Sequence, residues 1–274
     1  MSQQKNFMNW DNPEIALITG ASSGFGATFA RTLAAQGFDT ILVARRKNKL
    51  DELSKKLNQE YSIQTEVLVA DLANQTDIER VATRIKKLEN IDVLINNAGF
   101  GTRGYFENTP LKPQINMISV HIMATVHFCR AALPIMIKRN RGVIINMSSL
   151  SSFILTPQAV MYCATKAFER IFTETLALEL EGTGVKVQAL CPGLTHTEFH
   201  YSETFKSFNK KASPKEWWMT TDEVVKLSLK AFQKNKVMFI PGAINQMALK
   251  IYNDPKTGKE FRQRMIKSEQ ISRD

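Results

Sequence analysis

Tyr162 and Lys166 stand four residues apart in Tyr162-Cys163-Ala164-Thr165-Lys166, inside a stretch from Gln158 to Glu181 whose pattern reads as a helix. That spacing places phenol and ammonium on one helical face. A cation so close favours the phenolate, and each unit by which a tyrosine falls below its ordinary value of ~10 represents about 1.4 kcal/mol of preferential stabilisation. Such a phenol can exchange a proton near neutral pH. Ser149 lies a loop's length upstream, at the end of the apolar run Gly142 to Met147, which reads as a buried strand. A strand-end hydroxyl and a helix-face phenol can converge on one carbonyl oxygen, Ser149 donating a hydrogen bond and Tyr162 passing the proton.

The elements that must position these groups read as alternating strands and helices. Ile15 to Thr19 is a short apolar strand that leads through Thr19-Gly20-Ala21-Ser22-Ser23-Gly24-Phe25-Gly26 into a helical pattern from Ala27 to Gln36. Glycines between strand and helix let the backbone approach a pyrophosphate, whose charge the helix N-terminus stabilises. Further strands are expected at Thr40 to Ala44, Gln64 to Val69, Ile91 to Ile95, Val185 to Leu190 and Val237 to Ile240, with helices at Thr76 to Lys87, about Lys112 to Lys138, and from a capping box at Thr220-Thr-Asp-Glu223 to Lys234. This alternation implies an α/β fold: one doubly wound parallel sheet of Rossmann type, with helices on both faces and ligands at the strands' carboxyl ends. Where an NAD-preferring fold places an acidic residue after the second strand, this chain has Arg45 and Arg46, whose guanidinium forks suit a 2′-phosphate and point to NADP(H).

Ser149 with Tyr162-x-x-x-Lys166, the T-G-x-x-x-G-x-G loop, Asp71-Leu72, Asn96-Asn97-Ala98-Gly99 and Pro192-Gly193-Leu-Thr-His-Thr197 occur in an order that resembles the short-chain dehydrogenase/reductase family across about residues 14 to 242. The ordered set is far more specific than any one motif. The resemblance implies hydride transfer between nicotinamide and a carbonyl or alcohol, with Tyr162 as acid and base, Ser149 polarising the carbonyl, and Lys166 lowering the tyrosine and binding the ribose. It further implies a cofactor cradle of Thr19, Gly20, Ser22, Ser23, Gly24, Phe25 and Gly26, with Asp71 and Leu72 at the adenine, Asn97, Ala98 and Gly99 along the dinucleotide, and Pro192, Gly193, Thr195 and Thr197 at the nicotinamide. In one place the chain departs from the pattern. Relatives usually carry an asparagine in the helix before the Ser149 strand, associated with a helix irregularity and a water on the lysine, and here the sequence is Val120-His121-Ile122-Met123. An imidazole donates and accepts hydrogen bonds, so His121 is the candidate replacement; the other reading is a packing residue. The C-terminal Val237 to Gly242 followed by Asn245 resembles one branch of these reductases.

At 274 residues and 43% hydrophobic content the chain can bury a full core in one domain. The polar start, Met1 to Asp11, and the lack of a run approaching membrane length predict a soluble, cytoplasmic protein with no transmembrane segment. Cys129, Cys163 and Cys191 show neither disulfide nor zinc spacing, and no metal is implied. The net charge of +10 is spread over Lys55-Lys56, Lys86-Lys87, Lys138-Arg139-Arg141, Lys210-Lys211, Lys234 and Lys236, which reads as solvated faces rather than a nucleic-acid surface. A segment at about 194–220 that is rich in aromatics (Phe199, His200, Tyr201, Phe205, Phe208, Trp217, Trp218) suits a substrate lid over an apolar or bulky carbonyl compound, with core packing the other reading for the two tryptophans. The basic tail at 243–274 reads as a surface or subunit-contact helix. Relatives form homodimers or homotetramers through their two long helices. A redox-sensing NADP(H)-binding protein with little turnover is the alternative, and His121 is the feature that allows it.

Overall fold

The computed structural model describes residues 10–201 and 214–268. Every apolar run named above is a parallel strand: β1 (Ile15–Thr19), β2 (Asp39–Ala44), β3 (Thr65–Val69), β4 (Ile91–Asn96), β5 (Gly142–Met147), β6 (Val185–Leu190) and β7 (Met238–Phe239). They form one seven-stranded sheet in the order β3-β2-β1-β4-β5-β6-β7. Strand order reverses between β1 and β4, so the crevice at their carboxyl ends is the topological switch point at which such sheets bind ligands. The helices are α1 (Gly24–Ala34), α2 (Lys47–Tyr61), α3 (Gln75–Lys86), α4 (Leu111–Ile118), α5 (Ala124–Lys138), α6 (Val160–Glu179), α7 (Thr221–Gln233), α8 (Ala243–Asn253) and α9 (Gly258–Ser268).

Alternate strand residues serve opposite faces, which is why the strands read as continuous apolar runs. Ile18, Val93, Ile95, Val143 and Ile145 meet Phe29 and Leu33 of α1, Leu50 and Leu57 of α2, and Val224 and Phe232 of α7. Leu17, Leu94, Ile144 and Val187 meet Ile78 and Ile85 of α3, Phe128 and Met136 of α5, and Leu176 of α6. The expected capping box at Thr220 and Glu223 is present.

Several boundaries differ. α1 opens at Gly24, ahead of the expected Ala27, because the glycine-rich turn runs directly into helical geometry. β7 pairs with β6 over only two residues, at the sheet's edge. The tail forms two helices, and Asn245, Ala248 and Tyr252 of α8 are buried. The helical stretch Leu111–Lys138 is long and apolar enough, by length and composition, to cross a membrane, contrary to the sequence expectation. Half of its most apolar window is buried, and Phe128, Cys129, Ala132 and Met136 explain its composition by packing on the sheet. Phe205, Phe208 and Lys210-Lys211 lie outside the described residues.

Two of the scattered cations are structural. Asp92, with no exposed surface, accepts from Arg139 Nη1 at 3.0 Å, from Arg141 Nε at 2.8 Å and from the Glu14 backbone N–H at 2.9 Å, and Arg141 Nη2 closes a second contact. These bonds tie the start of β4 to the chain entering β1 and to the segment between α5 and β5. Removing the carboxylate leaves Arg139 with Glu14 and the Ile91 carbonyl, and Arg141 with the Asn12 carbonyl, but takes the shared buried acceptor from both. Asp92→Ala is expected to cost about 3 kcal/mol in urea unfolding, and a loss below about 1 kcal/mol would show the cluster to be solvated in practice.

Candidate active site

At the switch point the Thr19 hydroxyl accepts the backbone N–H groups of Asn97 at 2.9 Å and Ala98 at 3.0 Å, and Asn97 Nδ2 returns a bond to the Thr19 carbonyl at 2.8 Å. β1 and β4 are thereby locked together where the chain turns into α1. Gly20 has φ +65°, and a Cβ there would lie 2.7 Å from Asn97 Nδ2; one on Gly26 would lie 2.3 Å from the Gly20 carbonyl oxygen. Any side chain at either place would fill the cradle, so the turn fits a group that must reach the backbone. Ser23 makes no side-chain cap on α1, which leaves the helix's first N–H groups directed at the crevice.

Just past β2, Arg46 donates to Ser22 Oγ at 2.8 Å and Ser23 Oγ at 2.7 Å, while Arg45 is exposed and makes no ion pair among the described residues. Glu198, at the start of the aromatic-rich segment, bridges Arg46 at 2.7 Å and Lys49 at 2.6 Å. Hydrogen bonds from Lys49 and then Arg46 hold its carboxyl down at about 2. Lys49 and Glu198 were not singled out in the sequence, because their pairing spans 149 positions. Asp71 turns its carboxylate back onto the Ala73 N–H at 3.1 Å, and Leu72 is buried in the core beside α3.

The proton-transfer groups meet where β5 and α6 abut. Ser149 caps a short 3-10 turn, accepting from the Ser151 N–H at 3.1 Å, and hydrogen bonds with the Tyr162 phenol. Lys166 is almost wholly buried; its Nζ donates to the Met147 carbonyl at 2.7 Å and to Glu169 Oε2 at 2.8 Å, and sits 5.8 Å from the Tyr162 ring centroid. The expected lowering of Tyr162 by Lys166 is not found. Burial pushes the phenol above its ordinary value, the Ser149 hydrogen bond opposes this, and the Glu169 charge adds to the rise. Lys166 is paired with Glu169, and burial is the main reason that Tyr162 keeps its proton. Cys163 beside it is a buried thiol raised by desolvation, which disfavours a reactive thiolate.

His121 lies in a π turn, Ser119–Met123, between α4 and α5, so the helix irregularity expected with asparagine is retained. Its Nε2 accepts the Phe100 N–H at 3.1 Å, which places the proton on Nδ1, 2.8 Å from Thr165 Oγ1. Thr165 in turn donates to the Tyr162 carbonyl at 3.1 Å. Both ring nitrogens are thus engaged in bracing the β4 loop against α6. A Cβ on Gly99 would lie 2.9 Å from His121 Nε2 and 3.5 Å from Lys166 Nζ, so the Asn-Asn-Ala-Gly turn ends in glycine because these side chains crowd it.

At the far side, Leu150 N–H donates to the Pro192 carbonyl at 2.9 Å, and Thr195 Oγ1 donates to the Gly193 carbonyl at 3.1 Å. Gly193 is pressed by Asn245, whose Oδ1 would be 2.2 Å from a Cβ there. Thr197 lies across the cradle, where a Cβ on Gly24 would be 3.4 Å from its side chain, and the Phe199 ring packs on Tyr162 at 5.6 Å. The tryptophans do not join the core: Trp217 is 37% exposed, and Trp218 stacks on His196 at 5.0 Å. The structure thus gathers Ser149, Tyr162, Lys166 and His121 at one end of the crevice and the glycine turn with Arg46 at the other. Glu169 was missed, although a charged residue on the buried register of α6 is a readable signal.

A family model described as short chain dehydrogenase matches residues 14–206. A very-long-chain 3-oxoacyl-CoA reductase of Anas platyrhynchos is 37% identical over 182 residues, covering 65% of this chain but only 58% of that protein. A short-chain dehydrogenase from Sphingobium yanoikuyae, solved in complex with NADPH, superposes with TM-score 0.78 at 31% identity, over 96% of this chain and 97% of its own. A bulky-bulky ketone specific alcohol dehydrogenase from Comamonas testosteroni superposes with TM-score 0.75 at 29% identity, over 96% of each chain.

Burial, reinforced by the Lys166 charge, holds His121 well below the ordinary histidine value. Below about pH 6.5 the unfolded chain takes up a proton here that the folded chain refuses, so His121 withdraws stability as pH falls. Relative to the native chain, His121→Asn should gain roughly 2 kcal/mol between about pH 7 and about pH 5, read from parallel urea melts. A pH-independent difference would mean that His121 is protonated in the fold.

Proposed function

Because the chain belongs to the short-chain dehydrogenase family, we propose that it is an NADP(H)-dependent oxidoreductase working chiefly as a reductase of an apolar or bulky ketone or a 3-oxoacyl compound. The observation that carries this reading is the convergence of Ser149, Tyr162 and Lys166 at the carboxyl end of β5, with Ser149 within hydrogen-bonding reach of the phenol and Lys166 Nζ 5.8 Å from its ring. When bound, the nicotinamide supplies the hydride for reduction and accepts it in oxidation. Tyr162 donates its proton to the substrate oxygen as that oxygen gains charge, and its phenolate takes the proton back in the reverse direction. Ser149, fixed by the turn it caps, donates a hydrogen bond to the same oxygen and stabilises the developing charge. Lys166 provides the cation for the ribose, and the Phe199 ring over Tyr162 excludes water.

Gly20 and Gly26 leave room for a pyrophosphate, and Arg45, Arg46 and Ser22 supply the donors a 2′-phosphate needs. The NADPH held by the Sphingobium relative supports the same preference. The substrate class draws on the names of the duck and Comamonas relatives and on the aromatic side chains of the segment after Thr197. We place the activity in the cytoplasm, in a homodimer or homotetramer. Ile115, Met123, Ile171 and Leu178 on the two long helices are exposed apolar positions, and a groove lined by Phe168, Ile171 and Phe172 runs along α6.

Tyr162→Phe should bind NADPH as the native chain does yet lose about 10²- to 10⁴-fold in turnover of a bulky ketone; full activity would remove Tyr162 as the proton donor. NADPH binding without turnover by the native chain, across a broad carbonyl panel, would favour the sensing alternative. In fluorescence titrations, the Arg45→Ala/Arg46→Ala double variant should weaken NADPH about tenfold or more while changing NADH little. Equal losses for both cofactors would put the arginines away from the 2′-phosphate.

A further inference from the structure

Tyr162, Lys166, Glu169 and Thr173 follow one another at spacings of four, three and four along α6, so they form one stripe facing the sheet. Lys166 is 3% exposed, Glu169 1% and Thr173 fully buried. The stripe is pinned to the strands by a chain of hydrogen bonds. Asn96 Nδ2 donates to Asn146 Oδ1 at 2.8 Å, Asn146 Nδ2 to Thr173 Oγ1 at 2.8 Å, and Thr173 Oγ1 to the Glu169 carbonyl at 2.6 Å. Nothing in the mechanism above uses the Glu169 carboxylate, and a buried carboxylate is costly to keep without a partner. Its partner is the Lys166 ammonium, at 2.8 Å.

We propose that Glu169 is a positioning residue for the reaction: it holds the Lys166 ammonium against the Met147 carbonyl and offsets its charge, so that Tyr162 keeps the proton that carbonyl reduction requires. This rests on the reductase reading and adds to it a group outside the Ser, Tyr, Lys set. Tyr162 faces Lys166, Glu169 and Cys163 on its own helix, Ser149 from the end of β5, His121 from the π turn and Phe199 from the lid segment. His121 is neutral and Cys163 a thiol, which leaves Lys166 and Glu169 as the charged groups beside the phenol, and the Glu169 charge raises it. Burial pushes the Glu169 carboxyl up to about 7 against the pull of Lys166, so its charge is in place above that pH, where a phenol would begin to ionise.

Glu169→Gln keeps an acceptor for Lys166 and removes only the charge. The alkaline limb of NADPH-driven ketone reduction should move down by about one pH unit, with the NADPH Kd changed less than about twofold. Tyrosinate absorbance, with the Tyr162→Phe background subtracted, should move by the same amount. Glu169→Asp, which retains the charge, should leave the limb near its native position. Should the Gln variant fail to fold, Glu169→Ser removes the same charge and carries the same expectation. A limb that stays in place while activity falls would reduce Glu169 to a packing role, and a limb that moves up would mean that the Glu169 charge does not support the protonated phenol; either overturns the proposal. If the native chain binds NADPH and reduces no carbonyl, the reductase reading fails on its own, and the tyrosinate titration still decides the assignment of Glu169.

Discussion

A lysine ammonium held almost out of contact with water is the constraint from which the site's arrangement follows. Burying that charge would cost several kcal/mol if it were left unpaired. The protein meets the cost with a carboxylate one helical turn along, a strand-end carbonyl and a close-fitting loop at Gly99. Each of these requires α6 to lie tightly on the end of β5, and Ser148 Oγ, donating to the Lys166 carbonyl at 2.7 Å, fastens it there. The position of Tyr162 beside Ser149 is a consequence of that fastening.

The other end of the crevice depends on strand order. β1 and β4 are neighbours although two strands and three helices separate them in sequence, and the Thr19 hydroxyl serves as the shared acceptor for the chain leaving β4. With the two ends joined, Gly20 adopts its positive φ beneath Asn97, and α1 starts with its first N–H groups facing the gap. Glu198 then draws the start of the lid segment across the same gap onto Arg46 and Lys49. The cation cluster suited to a phosphate is therefore also in contact with the segment expected to cover the substrate.

The departures from expectation share a cause. Helical spacing put Lys166 near Tyr162 correctly, but burial of the phenol and the nearby Glu169 charge, neither visible in that spacing, raise it instead. His121 was legible as a substitute for an amide, yet its neutrality and its two partners, Phe100 and Thr165, belong to separate parts of the chain. Arg139 and Arg141 read as surface charge until Asp92 met them from a neighbouring strand. Trp217 and Trp218, for which core packing is one of the two sequence readings, stay out of the core, Trp217 exposed and Trp218 stacked on His196.

The sequence by itself determined the alternation of strands and helices, the glycine turn, the twin arginines and the Ser149, Tyr162, Lys166 set, because each is written in local spacing: period two, period 3.6, or a fixed offset within one turn. Only the tertiary structure decided strand order, the pairing of Lys166 with Glu169, the tautomer of His121 and the bridge from Glu198 to Arg46. These are contacts and protonation states whose energies depend on burial and on the company a charge keeps. Neither property exists until distant segments have packed.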